Sequence, residues 1–154
     1  MVDSRATTLE RSEIEERIPH RPPFLFVDRV VELGEETIVT EWRVPPDAAF
    51  FEGHYPGNPI TPGVLLCEFA VQSAAVLVKS AATDPSPDDA VPVLTRIGDA
   101  RFRRMVRPGD TVRAEARIVE REGGARRVRA RVLSAEGEAV ARLEFTVLLA
   151  REEP

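Results

Sequence analysis

The chemistry this chain could perform is concentrated in residues 50–72, FFEGHYPGNPITPGVLLCEFAVQ. The stretch holds His54, one of 2 histidines in the protein, and imidazole is the side chain that exchanges a proton most readily near neutral pH. It also holds Glu68, set in an otherwise apolar run where a carboxylate is costly unless paired or neutralised. A carboxyl group that keeps its proton in such a place can hand it to a leaving group. Gln72 stands four residues further on, one turn above Glu68 on the same helical face. Each piece also has a plainer reading: His54 as a structural member of a Gly-Pro turn, Glu68 as a carboxylate that reaches solvent or meets an arginine, Gln72 as a polar plug.

The elements that must position these groups can be read from the surrounding residues. Pro56, Gly57, Asn58, Pro59, Pro62 and Gly63 forbid regular structure before Gly63 and preset several backbone angles. Thr61 stands where an N-cap is expected, with Pro62 at the first helical position, where its missing N–H is no loss. Gly63 follows, with no side chain and an N–H pointing out of the helix start, a suitable site for a carbonyl oxygen gaining negative charge. A base, an acid and a polarising N–H gathered there make a working set for proton transfer beside a carbonyl. From Gly63 to Ser80 the residues predict a helix of about 27 Å, too short and too interrupted for a good membrane span and better enclosed by protein.

The 154 residues suggest one domain spanning residues 1–154, with residues 1–10 polar and frayed. A hydrophobic fraction of 43% and a charged fraction of 31% are those of a soluble globular protein. The net charge of −5 argues against nucleic-acid binding. With 1 cysteine, Cys67, there is no internal disulfide, and no apolar leader opens the chain, so a cytoplasmic protein is expected. The histidines and the cysteine form no cluster with metal-ligand spacing, and no phosphate loop or dinucleotide fingerprint is present.

Residues 11–17 predict a short helix closed before Pro19. His20, beside Arg21 and two prolines, reads as a structural hydrogen-bonding residue. Residues 24–33 and 37–44 read as strands, and residues 81–90, AATDPSPDDA, as an exposed loop that could serve as a flap. Further strands are expected over 91–102, 111–119, 127–133 and 139–150, with turns at Pro108-Gly109, Gly123-Gly124 and Glu136-Gly137. Their period-two alternation predicts an antiparallel sheet with one face on a core and one charged face outward. One long apolar helix and five or six strands give an α+β arrangement, a curved antiparallel sheet wrapped around one long central helix. The helix needs more cover than one sheet face supplies, so a homodimer is expected.

Three blocks, IPHRPPFLFVDRV, FFEGHYPGNPITPGVLLCEFAVQ and ARFRRMVRPGDTV, occur in an order and spacing that closely resemble the (3R)-hydroxyacyl-acyl-carrier-protein dehydratases of type II fatty acid synthesis. That resemblance covers nearly the whole chain. It implies the hot-dog fold and a dimer often assembled into a trimer of dimers, with the histidine of one subunit facing the glutamate of the other. It places the catalytic histidine on His54, the catalytic glutamate on Glu68, the thioester-binding glycine on Gly63 and the supporting glutamine on Gln72. The reaction it implies is loss of water from a 3-hydroxyacyl thioester borne on acyl-carrier protein, with no cofactor. A sister group that also isomerises the double bond resembles this chain around His54 but has an aspartate where Glu68 stands and lacks the PHR block. Pro22, Tyr55 and Cys67 depart from the family's usual residues at their positions and bear on acyl-chain preference.

Acyl-carrier protein is acidic, so docking calls for a local basic patch, for which Arg101, Arg103, Arg104, Arg107, Arg127, Arg129 and Arg131 are candidates. The plainer reading is a solvated face paired with Glu115 or Glu144. Two other functions stay open on the sequence: another hot-dog thioester enzyme, such as a thioesterase or an enoyl hydratase, and a non-catalytic acyl-binding subunit.

Overall fold

A computed structural model of the chain describes residues 6–82 and 87–151. Strand β1 (Thr7–Leu9) leads into helix α1 (Arg11–Arg17), followed by β2 (Arg29–Leu33) and β3 (Thr37–Arg43). A 3-10 turn (Ala49–Glu52) precedes the long helix α2 (Gly63–Ser80), and β4 (Ala90–Phe102), β5 (Thr111–Glu122), β6 (Ala125–Ser134) and β7 (Ala139–Arg151) complete the fold. The strands form one 7-stranded sheet in the order β1-β2-β3-β5-β6-β7-β4, antiparallel at every pairing.

The alternation in the sequence becomes the inner face of this sheet. Thr40 pairs with Ala114 and Trp42 with Val112 across β3 and β5, and Ala114 with Val132 and Ile118 with Val128 across β5 and β6. All of these side chains are buried. The small residues Ala114, Ala116 and Ala130 let α2 lie close to the middle of the sheet, and the helix touches β3, β4, β5, β6 and β7. Phe69, Ala70, Ala74, Val76 and Leu77 of α2 are fully buried. A polar pin crosses the interface: the Ser73 hydroxyl donates to Phe69 O at 2.8 Å and lies 2.7 Å from the Thr40 hydroxyl, so both buried oxygens are satisfied. The turns after β4 and β6 rest on Gly109 and Gly137, whose φ values of +85° and +84° suit a residue without a β-carbon.

Three expectations need correcting. Residues 7–9, expected to fray, pair with β2 instead, because an extended segment can satisfy its backbone along that edge. Residues 24–28, read as the first half of a strand, are not in the sheet, since Phe24 and Phe26 bond to the Gln72 side chain. The helix also starts one residue later than expected: Pro62 is the N-cap and Gly63 the first helical residue. Thr61 does not cap it, its hydroxyl being buried without a partner among the described residues and its N–H bonded to Val106 O at 2.7 Å. Part of the expected flap, residues 83–86, lies outside the described residues; Lys79 Nζ donates to the carbonyls of Pro87 and Ala90.

Candidate active site

Glu68 sits on the second turn of α2 with its side chain 21% exposed. Gln72, 0% exposed, reaches back one turn and donates from Nε2 to Glu68 Oε1 at 3.0 Å. The same amide nitrogen donates to Phe24 O at 2.9 Å, and Gln72 Oε1 accepts from Phe26 N at 2.8 Å. Gln72 therefore does two jobs: it closes the extended segment 24–26 onto the helix and holds one carboxylate oxygen in place. Among the described residues Glu68 Oε2 has no hydrogen-bond partner, and His20 is the other polar group beside the carboxylate, its Nε2 lying 3.5 Å from Oε1. The sequence reads His20 as structural, and the structure sets it against Glu68. The PHR block is the local signal that marks it, although nothing in its spacing ties it to a residue so far along the chain.

His54 stands in the loop between the 3-10 turn and α2, half-buried. Its Nδ1 lies 2.8 Å from Ile60 O, and a carbonyl can only accept, so Nδ1 carries the proton and Nε2 is the basic nitrogen. Tyr55 follows in the left-handed region at φ +56° and sets its ring edge-on to the imidazole, 4.8 Å between centroids. Arg107 holds this loop from the other side, donating to Asn58 Oδ1 at 2.6 Å and Pro59 O at 3.1 Å. The single chain brings Glu68 together with Gln72 and His20, and among the described residues no ion pair joins His54 to Glu68.

At the helix start, the N–H groups of Leu65 and Leu66 both return to Pro62 O, at 3.0 and 3.4 Å. The Gly63 N–H precedes any intrahelical acceptor and has no hydrogen-bond partner among the described residues, in keeping with the first turn of a helix. A β-carbon on residue 63 would lie 3.0 Å from the ring of Phe102, which covers this glycine while itself remaining exposed. Below the helix start an apolar hollow of about 500 Å³ is lined by Phe24, Phe26, Trp42, Phe50 and Leu65 among others.

Cys67, next to Glu68, is buried, and burial pushes its thiol above the usual range. It should therefore react with a thiol reagent at neutral pH at least ~10-fold more slowly in the folded protein than in denaturant. Equal rates in a stopped-flow labelling experiment would contradict that. Among the described residues, no group of His, Cys, Asp and Glu is arranged to hold a metal ion.

The arginines divide. Arg127 pairs with Glu120 and Glu144, Arg129 with Glu144 and Arg131 with Glu115, all at 2.6–3.0 Å, and hydrogen bonds to Glu144 and Glu120 hold the Arg127 guanidinium above the ordinary range. These are the cross-strand pairs of a solvated sheet face. Arg101 pairs with Asp99, Arg104 with Glu138, and Arg107 serves the His54 loop; Arg103 is exposed and has no ion-pair partner among the described residues.

An antiparallel sheet wrapped around one long buried helix is the hot-dog class of protein. A solved structure with this arrangement, the dehydratase heterocomplex ApeI:P from Xenorhabdus doucetiae, matches with a TM-score of 0.75 at 13% identity, over 90% of this chain and 91% of that one, which is a likeness of fold. Residues 18–144 match the family model of the FabA-like domain, and the chain belongs to that family. It is 38% identical over 150 residues to the 3-hydroxyacyl-[acyl-carrier-protein] dehydratase FabZ of Anaeromyxobacter sp. (strain Fw109-5), covering 96% of this chain and 94% of the relative. The enzyme of the same name from Thermomicrobium roseum is 43% identical over 137 residues, 84% of this chain and 89% of the relative.

Proposed function

We propose that this chain dehydrates (3R)-3-hydroxyacyl thioesters carried on acyl-carrier protein to the trans-2-enoyl thioesters, as a step of fatty acid synthesis. The observation that carries the proposal is Glu68, a carboxyl group on the buried helix with one oxygen held by Gln72 and the other open to a substrate, in a chain so similar to the FabZ dehydratases. His54 Nε2 takes the hydrogen from the carbon next to the thioester carbonyl, and the C–H electron pair becomes the new carbon–carbon π bond. Glu68 Oε2 gives its proton to the 3-hydroxyl group, which departs as water when the C–O bond breaks. The Gly63 N–H polarises the thioester carbonyl, a contribution on the order of 10² to 10³ in rate for one such donor. The apolar hollow beside Leu65 is room for acyl carbons.

In this reading His54 of one copy meets Glu68 of a second. The homodimer is favoured by β4, whose 13 residues form an outer edge of the sheet with Val93, Leu94 and Ile97 exposed along it. A long apolar edge strand invites pairing with another chain, and two α2 helices would thereby come under one continuous sheet; assembly of such dimers by threes extends the same reading. Arg103, exposed beside Phe102 and without an ion pair among the described residues, is the first candidate to meet the acidic carrier.

The deciding experiment supplies a carrier-bound (3R)-3-hydroxyacyl thioester and follows the absorbance of the enoyl product, with a plain acyl thioester of equal length in parallel. Enoyl formation with no free thiol from either substrate is the expected result. Thiol release from the plain thioester without dehydration would replace this proposal with a thioesterase.

A further inference from the structure

His20 has a chemical situation that a packing role does not account for. Helix α1 ends with the Ile18 N–H on Ile14 O, and Pro19 prevents the helix from going on. Arg21 then folds back over the end of the helix, its guanidinium donating to Glu15 O at 2.9 Å, Ile18 O at 2.9 Å and His20 O at 2.7 Å. Those contacts fix the backbone on both sides of His20. Its ring points toward α2, with Nε2 3.5 Å from Glu68 Oε1, and its Nδ1 is buried with no hydrogen-bond partner among the described residues.

The orphaned Nδ1 decides the tautomer. A buried N–H without an acceptor forfeits a hydrogen bond, whereas a bare aromatic lone pair is the weaker loss. The proton therefore belongs on Nε2, the nitrogen that faces Glu68. Both polar neighbours of the carboxyl group, Gln72 Nε2 and His20 Nε2, then address the same oxygen, Oε1. The separation of 3.5 Å is longer than a tight hydrogen bond, and such contacts commonly shorten when substrate closes the site.

We infer that His20 is a positioning residue for Glu68: its Nε2–H and the Gln72 amide together hold Oε1 as the acceptor oxygen, leaving Oε2 to carry the proton given to the departing hydroxyl. The inference rests on the dehydratase reading for its consequence, but the contact itself does not. After the proton has gone, the same two donors steady the carboxylate that remains. The PHR block thus acquires a division of labour, in which Pro19 ends the helix, His20 orients the acid and Arg21 holds His20.

The test joins kinetics to a measurement independent of turnover. His20→Phe keeps a ring of similar size without a donor and should lower kcat roughly 10- to 100-fold, the worth of one hydrogen bond to a charged group. KM should stay within about twofold, since no ground-state contact with substrate is removed. His20→Gln, whose Nε2 can reach the same oxygen, should recover most of that loss. In the 15N-histidine NMR spectrum of the wild-type protein, His20 should show a protonated Nε2 and a bare Nδ1, and Glu68→Ala should move the Nε2 proton signal. Wild-type kcat in His20→Phe, a His20→Gln enzyme as slow as His20→Phe, a protonated Nδ1, or a signal indifferent to Glu68→Ala would each overturn the inference. If the wild-type protein does not dehydrate at all, the proposed function fails, and the NMR measurement still decides the contact.

Discussion

His54→Ala and Glu68→Gln are each expected to lower kcat by at least ~10², the usual effect of removing a general base or acid. Both variants should remain folded, with a melting temperature close to that of the wild type. Among the described residues His54 makes a single side-chain hydrogen bond, to Ile60 O on its own loop, and a glutamine at 68 keeps an oxygen for Gln72 to donate to. Mixing the two inactive proteins after mild denaturation gives a second readout. If each site takes His54 from one chain and Glu68 from the other, half of the random dimers are mixed and each of these has one intact site, so about a quarter of wild-type activity should return. Full activity in either single variant refutes the assignment. Failure of the mixture to recover while both variants remain dimeric would place the working histidine and glutamate in the same chain.

The second large effect is on stability. Gln72→Leu matches the buried side chain in volume but removes its bonds to Phe26 N, Phe24 O and Glu68 Oε1. The Phe26 N–H and the Phe24 carbonyl lose their partner where the chain is closed onto the helix; at roughly 1–3 kcal/mol per unsatisfied buried group, and less for the carbonyl because it is only part-buried, the destabilisation is about 2–4 kcal/mol. In a chain of this length that corresponds to a fall in melting temperature of roughly 5–15 °C. Turnover should fall as well, because Glu68 loses its closest donor. A calorimetric midpoint within a degree or so of the wild type would show that segment 24–26 is held by packing alone. That packing is substantial: the rings of Phe24, Phe26, Trp42 and Phe69 follow one another at centroid separations of 4.9, 4.8 and 5.6 Å.

The same pair of bonds accounts for the stretch before β2, which reads as a strand and is not one. Residues 24–28 have the β-branched and aromatic composition of a strand, yet the Phe24 carbonyl and the Phe26 N–H bond to a side chain 48 and 46 residues away. Composition reports the backbone angles a segment favours and says nothing about which partner satisfies it. For the docking arginines the plainer of the two sequence readings, pairing with Glu115 and Glu144, is the one the structure shows. Arg127, Arg129 and Arg131 look like a basic stripe when only their own strand is read, and the neighbouring strands carry the glutamates that neutralise it.

What the sequence determined by itself was whatever has a local period or a local steric rule. The bounds of α1 and α2 follow from an apolar run and from proline, the inner faces of β5, β6 and β7 follow from alternation, and the turns follow from glycines that must take positive φ. The kinds of group available for catalysis were legible too, because an ionisable side chain in an apolar helix costs free energy that packing alone does not return. The tertiary structure alone decided how those groups are oriented: Gln72 and His20 on one oxygen of Glu68, and Ile60 on one nitrogen of His54. Contacts of that kind join segments whose separation along the chain has no period, so they arise only once the sheet has closed around the helix.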